Sequence, residues 1–440
     1  MVAWILYVFM LLAGAGAASP WSNPSPVSAT ANAGITILPD YFGMHLQCVV
    51  TPCANNIRYP YPSNLGFTTL RLWDTDSWNT LEPKRGVFEW NDLDSLVRQA
   101  TAHGVTSFLF VLGAVPAWAS TNPKGNCGTS PPGQCYPPDL PALDEFRTAF
   151  VRRECGVVKY YEAWNEPNLT SFWGGSNTQL LTIVQHLHSI AKDPANCGCT
   201  GGVCSPGGGA NPNKLLTPSA NTIHSSAARR WLQDWFAVLD KSHPLADIVS
   251  FHGYESEPEE IAKDVAWLRS QADAHGLRDA EMWDTEDSWG KQQSFTEDQE
   301  AGWLMRSHIT HAASGVSRYY WYAFGSCSWG TLYGASCGSE QEQQSGMRKA
   351  GIAYRTVSRW LTGATLAHCV RDKDETWSCY LRRTEVYKAV VMWNPGGSRQ
   401  AKPPDADFVS YRDWQDTRHA LGKTIIVSPT PILLENGSGF

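Results

Sequence analysis

Two glutamates sit where a pair of carboxyl groups can work on one bond. Glu166 closes the run Val157–Trp164 through Asn165, and Glu286 closes Glu281–Thr285; both runs are short, apolar and β-like. Two carboxylic acids flanking a bond are what acetal hydrolysis needs: one protonates the leaving oxygen, the other attacks or stabilises the positively charged carbon. Other β-like runs end in Trp73-Asp74, Gly113, Ser219, His252-Gly253-Tyr254 and Trp321–Phe324. Asp284 and Asp287 compete with Glu286. Strict alternation turns Asp284 to the same side as Glu286 and leaves Asp287 past the strand end.

These positions require a scaffold that brings strand ends together. Eight β-like runs are expected, at Phe42–Leu46, Thr68–Trp73, Ser107–Leu112, Val157–Trp164, Lys214–Pro218, Asp247–His252, Glu281–Thr285 and Arg318–Ala323. Helical patterns separate most of them, over Leu93–Ala102, Leu143–Arg153, Gln179–Lys192, Ala227–Leu239, Glu259–His275 and Glu297–Ala313, and one over Glu340–Leu361 closes the set. Apolar strands separated by helices form a parallel sheet covered on its outer face. Eight such units give an α/β fold, a (β/α)8 TIM barrel over 42–362, whose chemistry lies at the carboxyl ends of the strands. A doubly wound sheet is the rival, but no glycine-rich turn follows the first strand. Beyond 362 the pattern becomes alternating, as in Thr376–Arg382, Val386–Trp393 and Lys423–Val427, so 363–440 reads as a small antiparallel, β-sandwich-like domain. Residues 19–41 form an extension that can pair with it. The Gly/Pro/Cys-rich stretch 194–213 reads as a long surface loop.

With its strands in place, the chain resembles the clan A retaining glycoside hydrolases. The resemblance rests on Asn165-Glu166-Pro167 after strand four and on Trp283-Asp284-Thr285-Glu286 in strand seven. Leu70–Asp94 and Leu112–Ala119 look like family 39 in particular, the β-xylosidase and exopolysaccharide-endoglycosidase type. That likeness implies Glu166 as general acid/base and Glu286 as nucleophile. It implies that Asn165 bonds the sugar 2-hydroxyl, that Arg71 keeps Glu286 ionised, that Tyr254 donates to Glu286 and that His252 lies by Glu166. It also implies Trp321 as the floor under the attacked sugar, although Tyr319, Tyr320 and Tyr322 are rival platforms, and Arg71 can instead pair with Asp74 or Asp76. Gly113-Ala114 stands where many clan members carry a histidine, which leaves the sugar open. The implied activity is hydrolysis of β-glycosidic bonds in an oligo- or polysaccharide through a covalent glycosyl-enzyme. The alternatives are a transglycosylase on the same scaffold and a carbohydrate-binding protein without catalysis.

Composition fits a sugar-handling protein. The chain carries 20 Trp, 16 Tyr and 15 Phe, side chains with flat apolar faces and, for Trp and Tyr, a polar handle. Trp78, Trp118, Trp173, Trp289 and Trp329 fall in loops after strands, which predicts an aromatic-lined cleft; His45 ends strand one. The net charge of -7, with no long Lys/Arg run, argues against nucleic acid as partner. No metal or organic cofactor is implied. Residues 1–18 read as a signal peptide ending in small residues, with a retained anchor as the alternative because no Lys or Arg lies near the start. Secretion is expected, with no stable membrane insertion after cleavage. Twelve cysteines, many in close pairs (Cys48/Cys53, Cys127/Cys135, Cys327/Cys337, Cys369/Cys379), suit disulfides in an oxidising compartment. Cys155, Cys197, Cys199 and Cys204 make up the rest, and C-x-C-x4-C without a nearby histidine is a poor zinc site. Asn168-Leu169-Thr170 overlaps the candidate motif and is read as a chance glycosylation sequence; Asn436-Gly437-Ser438 is the other.

Overall fold

The computed structural model describes residues 34–46, 65–289, 295–325, 330, 332–333 and 347–437. The signal-peptide segment, Cys48/Cys53, Cys327/Cys337, Trp329, the start of the helix expected from Glu340 and Ser438 lie outside the described residues. Eight parallel strands close into a barrel: β1 (Phe42–Met44), β2 (Thr69–Leu72), β3 (Ser107–Val111), β4 (Val158–Glu162), β5 (Lys214–Leu216), β6 (Ile248–His252), β7 (Glu281–Asp287) and β8 (Val316–Trp321). They neighbour one another in chain order, and β8 returns to β1 with Tyr319 opposite Phe42. The (β/α)8 expectation therefore holds. The outer helices are α1 (Asn91–Ala102), α2 (Leu140–Arg153), α3 (Asn177–Lys192), α4 (Ser226–Ala237), α5 (Ile261–Ala274), α6 (Glu297–Ala313) and α7 (Lys349–Leu361). Helix α3 begins two residues earlier than the apolar period suggests. Ser176 caps it by accepting from Gln179 N at 3.2 Å while Gln179 reaches back to Ser176 N at 2.9 Å, a capping box that the Ser-x-x-Gln spacing carries.

The lower half of the barrel is plugged by side chains. Leu109, Leu216, Ile248, Trp283 and Tyr320 pack together with Tyr160. Arg318 lies between them, its guanidinium 4.2 Å from the Trp283 ring centroid and 4.4 Å from that of Tyr160, and its Nη2 reaches Asp40 at 2.6 Å. Tyr320 needs the space that Gly43 leaves on β1, where an added Cβ would fall 2.5 Å from its ring.

Beyond the barrel, β9 (Thr365–Arg371), β10 (Trp377–Arg382), β11 (Lys388–Trp393) and β12 (Ile432–Glu435) belong to a seven-stranded antiparallel sheet. Ile35–Thr36 pairs antiparallel with Leu366–Thr365 at its edge. One face of this sheet shares the barrel's apolar core through Trp377, Trp393 and Leu433. The other packs under Ile425 and Val427 of a two-stranded ribbon. Among the described residues, four disulfides join Cys127–Cys135, Cys155–Cys197, Cys199–Cys204 and Cys369–Cys379. The first and last are close pairs legible in the sequence. The loop 194–213 holds a small hairpin, Gly198–Thr200 with Val203–Ser205, closed by Cys199–Cys204.

Candidate active site

The upper half of the barrel gathers several ionisable groups, where the lower half packs hydrocarbon and rings around Arg318. Arg71, inward on β2 and 2% exposed, spends its whole fork on the site. Its Nε donates to Glu162 at 2.7 Å, Nη1 to Glu286 at 2.9 Å and Nη2 to Asn165 Oδ1 at 2.7 Å. Burial works against the guanidinium, but Glu162 and then Glu286 more than offset it and hold Arg71 firmly protonated. Because Arg71 takes Asn165 by its oxygen, the amide nitrogen is left for the cavity that Asn165 lines. Glu162 was not among the expected residues. It also accepts from Ser219 Oγ, and from Thr285 Oγ1 at 3.2 Å, so it ties β2, β4, β7 and the segment after β5 together beneath Glu166 and Glu286.

Glu286 accepts from Tyr254 Oη at 2.8 Å on its other oxygen. Burial, and then the Glu286 charge, push the Tyr254 hydroxyl well above its ordinary range, so it stays a donor. Glu166 contacts His252 Nδ1 at 2.8 Å, and His252 Nε2 lies 3.9 Å from Glu286. Burial pulls the imidazole down to about 4, so the ring is neutral at neutral pH. One carboxylate oxygen each of Glu166 and Glu286 and a ring nitrogen of His252 all lie within 4.8 Å of one another. That is also a metal-triad spacing, but the Arg71 guanidinium already supplies the positive charge beside Glu286. Glu166 and Tyr254 both adopt left-handed backbone, with φ of +44° and +32°. Such residues cost about 1–3 kcal/mol and need their surroundings to hold them. Asn168 helps to hold the first turn: its Nδ2 donates to Asn221 Oδ1 at 2.7 Å and its Oδ1 accepts from Asn221 N at 2.9 Å. That amide is committed inside the loop.

One expected residue is displaced. Trp321 is 2% exposed, stacks on His308 of α6 and donates from Nε1 to the Gly330 carbonyl at 2.6 Å. It does not line the cavity; Tyr322 does. Trp321 and Tyr319 do share a face, but it is the face turned to α6, where both rings meet His308. Arg318 and Tyr320 point inward, and Tyr322 follows in the same phase, its hydroxyl bonded to Asp74 at 3.1 Å. The β7 expectation also changes. The strand extends to Asp287, and its register shifts between Asp284 and Glu286. The shift parts the neighbours: Glu286 meets Arg71 in the mouth, while Asp284 turns to His311 of α6 at 2.8 Å.

Glu166 and Glu286 open into a cavity of about 510 Å³ lined by Trp73, Phe172, Tyr254, Trp289 and Tyr322, with Thr129, Ser171, Asn221, Thr222, Glu255 and Ser288 among its polar groups. The lining is aromatic as expected, but from a different set. Trp78 and Trp173 are buried, Trp118 packs against Trp78 at 5.8 Å, and of the expected tryptophans that are described, Trp289 reaches the cavity. His45 lies beneath it, fully buried, its Nε2 donating to the Thr285 carbonyl at 2.8 Å.

No family model matches the chain, and no curated protein matches it in sequence. Solved structures do match. A family 39 glycoside hydrolase from the gut symbiont Bacteroides cellulosilyticus superposes over 90% of this chain and 81% of its own, with a TM-score of 0.65 and 15% identity. A family 39 β-xylosidase from Caulobacter crescentus does so over 91% and 97%, with a TM-score of 0.59 and 15% identity. A glucosidase from Croceicoccus marinus covers 91% and 96%, with a TM-score of 0.59 and 14% identity. The chain therefore has the fold of glycoside hydrolases, most like those of family 39.

Proposed function

We propose that the protein is a retaining glycoside hydrolase that cleaves β-linked oligo- or polysaccharide outside the cell. The observation that carries this reading is the approach of Glu166 and Glu286 to within 4.8 Å, oxygen to oxygen, at the carboxyl ends of β4 and β7. Retaining enzymes hold their carboxyl groups about 5–5.5 Å apart, whereas inverting ones leave about 6.5–9.5 Å for a water. Glu286 attacks the anomeric carbon as the bond to the leaving oxygen breaks, and Glu166 gives that oxygen its proton. Glu166, now a carboxylate, then takes a proton from the water that displaces Glu286 and frees the sugar. Neutral His252 suits this cycle, because an imidazolium beside Glu166 would hold it ionised. The Asn165 amide nitrogen faces the place of the 2-hydroxyl, and Tyr322 takes the platform role that the resemblance gave to Trp321. The aromatic lining supplies faces for sugar rings. The four disulfides among the described residues suit an oxidising compartment, and no helix among those residues is long and apolar enough to cross a membrane.

The test is hydrolysis of a panel of aryl β-glycosides and polysaccharides by wild type, Glu166→Ala and Glu286→Ala, with azide rescue. Turnover collapses in both variants. Azide then gives a retained β-azide with Glu166→Ala and an inverted α-azide with Glu286→Ala. Full turnover in either variant overturns the assignment.

A further inference from the structure

Behind Glu286, on the side of β7 that faces α6, lies a cluster that the reaction scheme does not use. Asp284, Asp287 and His311 are each no more than 1% exposed. Asp284 Oδ1 accepts from the main-chain nitrogens of Gly253 and Glu286, both at 3.2 Å. Asp287 Oδ1 accepts from Tyr254 N at 2.9 Å, and its Oδ2 from Tyr319 Oη at 3.0 Å. The two carboxyl groups thus hold the main chain of Glu286 and of the tyrosine that donates to it, including the left-handed turn at Tyr254. The fit is close: a Cβ on Gly253 would fall 2.4 Å from Asp284 Oδ2 and 2.9 Å from Asp287 Oδ2.

The proton inventory follows from the bonds. His311 Nδ1 is 2.7 Å from the Ser307 carbonyl, which only accepts, so Nδ1 carries a hydrogen. Nε2 lies 2.8 Å from Asp284 Oδ2 and 3.7 Å from Asp287 Oδ2. Contact at 2.8 Å between two acceptors is unfavourable without a proton between them, so either the ring is an imidazolium or Asp284 is an acid. Both groups are sealed from water, and separated charges are costly in such surroundings. Burial lifts Asp284 well above its ordinary range against the Glu286 and Gly253 main-chain donors, with the Glu286 charge raising it and Arg71 lowering it. Burial pulls His311 down, although Asp287 and the Ser307 carbonyl raise it. The other ionisable groups that face the cluster are Tyr41, Tyr319, Tyr254 and Glu255.

We propose that Asp284 and Asp287 are positioning residues for Glu286 and Tyr254, and that Asp284 acts as a carboxylic acid whose hydroxyl donates to His311 Nε2. The acid form leaves Oδ1 to the two backbone donors and places no further charge from Asp284 behind Glu286. The positioning half rests on the reading of Glu286 as nucleophile.

The test compares Asp284→Asn with Asp284→Ala, using a 2-deoxy-2-fluoro glycosyl fluoride of the sugar that the panel selects. The rate constant for labelling Glu286 is counted per reactive site, so misfolded protein does not enter it. The amide of the first variant reproduces both halves of the acid, so its rate constant stays within about 3-fold of wild type, while the alanine slows labelling by about 10-fold or more. Histidine nitrogen NMR on the wild-type protein, assigned with His311→Gln, supplies a readout independent of turnover. His311 should show the neutral Nδ1–H tautomer throughout roughly pH 5.5–8. An imidazolium signal at neutral pH, a metal on Nε2, an asparagine variant as slow as the alanine, or an alanine variant as fast as wild type overturns the proposal. If no sugar reacts with wild type, the glycosidase reading fails, and the NMR alone decides the state of Asp284.

Discussion

The barrel buries one arginine at each end, and the two are set to different uses. Arg318 at the bottom lies against the faces of Trp283 and Tyr160 and reaches a single, partly exposed carboxylate, Asp40. Arg71 at the top faces two carboxylates and an amide. At the bottom the cation joins packed layers and can be replaced by other ways of filling a plug. At the top its fork reaches from β2 to Glu162 at the end of β4, to Asn165 just beyond it, and to Glu286 of β7, the proposed nucleophile. Arg318 also donates to Ser107 Oγ at 3.1 Å and to Tyr160 Oη at 2.9 Å, so each guanidinium has three acceptors; what separates the two is that two of those facing Arg71 are buried carboxylates.

Shortening each arginine to lysine tests the difference directly. Arg71→Lys keeps one charge but cannot hold Glu162, Glu286 and Asn165 together, so kcat/KM falls by about 10²–10³-fold. Arg318→Lys loses its stacked plane, which costs about 1–2 kcal/mol of stability, while kcat/KM per folded molecule changes by less than about 3-fold. Steady-state kinetics beside urea unfolding reads both; equal losses of activity would erase the distinction between the two ends.

Acid should also strike the top first. His252, held near 4 by burial, and His308, held near 3 by burial, are neutral in the fold. Their unfolded forms take up protons below about 6.5. Their stabilising share is therefore whole above that pH and is lost as pH falls through about 6.5 towards 4 and 3. Over the same fall, protonated His252 would face Glu166 and Glu286 together, so kcat/KM declines towards pH 4. In His252→Gln that acid limb should lose its steepness; an unchanged limb would assign it to another group.

Much of this contrast was legible before the fold. Apolar runs between helical periods gave the barrel, and the run ends gave Glu166 and Glu286, because the carboxyl ends of strands converge there. Glu162 was missed because it sits inside the run VVKYYEAW, where one more alternating residue carries no mark of which side it faces. Trp321 was misplaced for a related reason: alternation correctly groups it with Tyr319, but the phase is set by α6 and the barrel axis, which lie outside the strand. Arg318 carried the missing signal, since a cation in an apolar strand seeks the interior that can hold it, and Tyr322 shares its phase. At Asp284 and Glu286 the period itself failed, because the register shift in β7 arises from pairing with β6 and not from either residue's type.

The same comparison reaches acids without a basic partner. Glu162 is buried against Arg71, whereas Asp76, in the loop after β2, is 4% exposed, and its Oδ2 has no partner. Burial, and then Asp92 and Glu154, push its carboxyl up to about 7. The folded protein thus holds a proton there that the unfolded chain has released, and stability declines as pH rises from about 4 to 7. Asp76→Asn keeps the shape and removes the charge, so it should stabilise the protein by about 1–3 kcal/mol at roughly pH 8 and by almost nothing near pH 4. Urea unfolding of the variant and wild type at the two pH values reads the difference. A variant less stable at the higher pH would mean that the carboxylate finds a donor, and that the top of the barrel tolerates buried negative charge even away from Arg71.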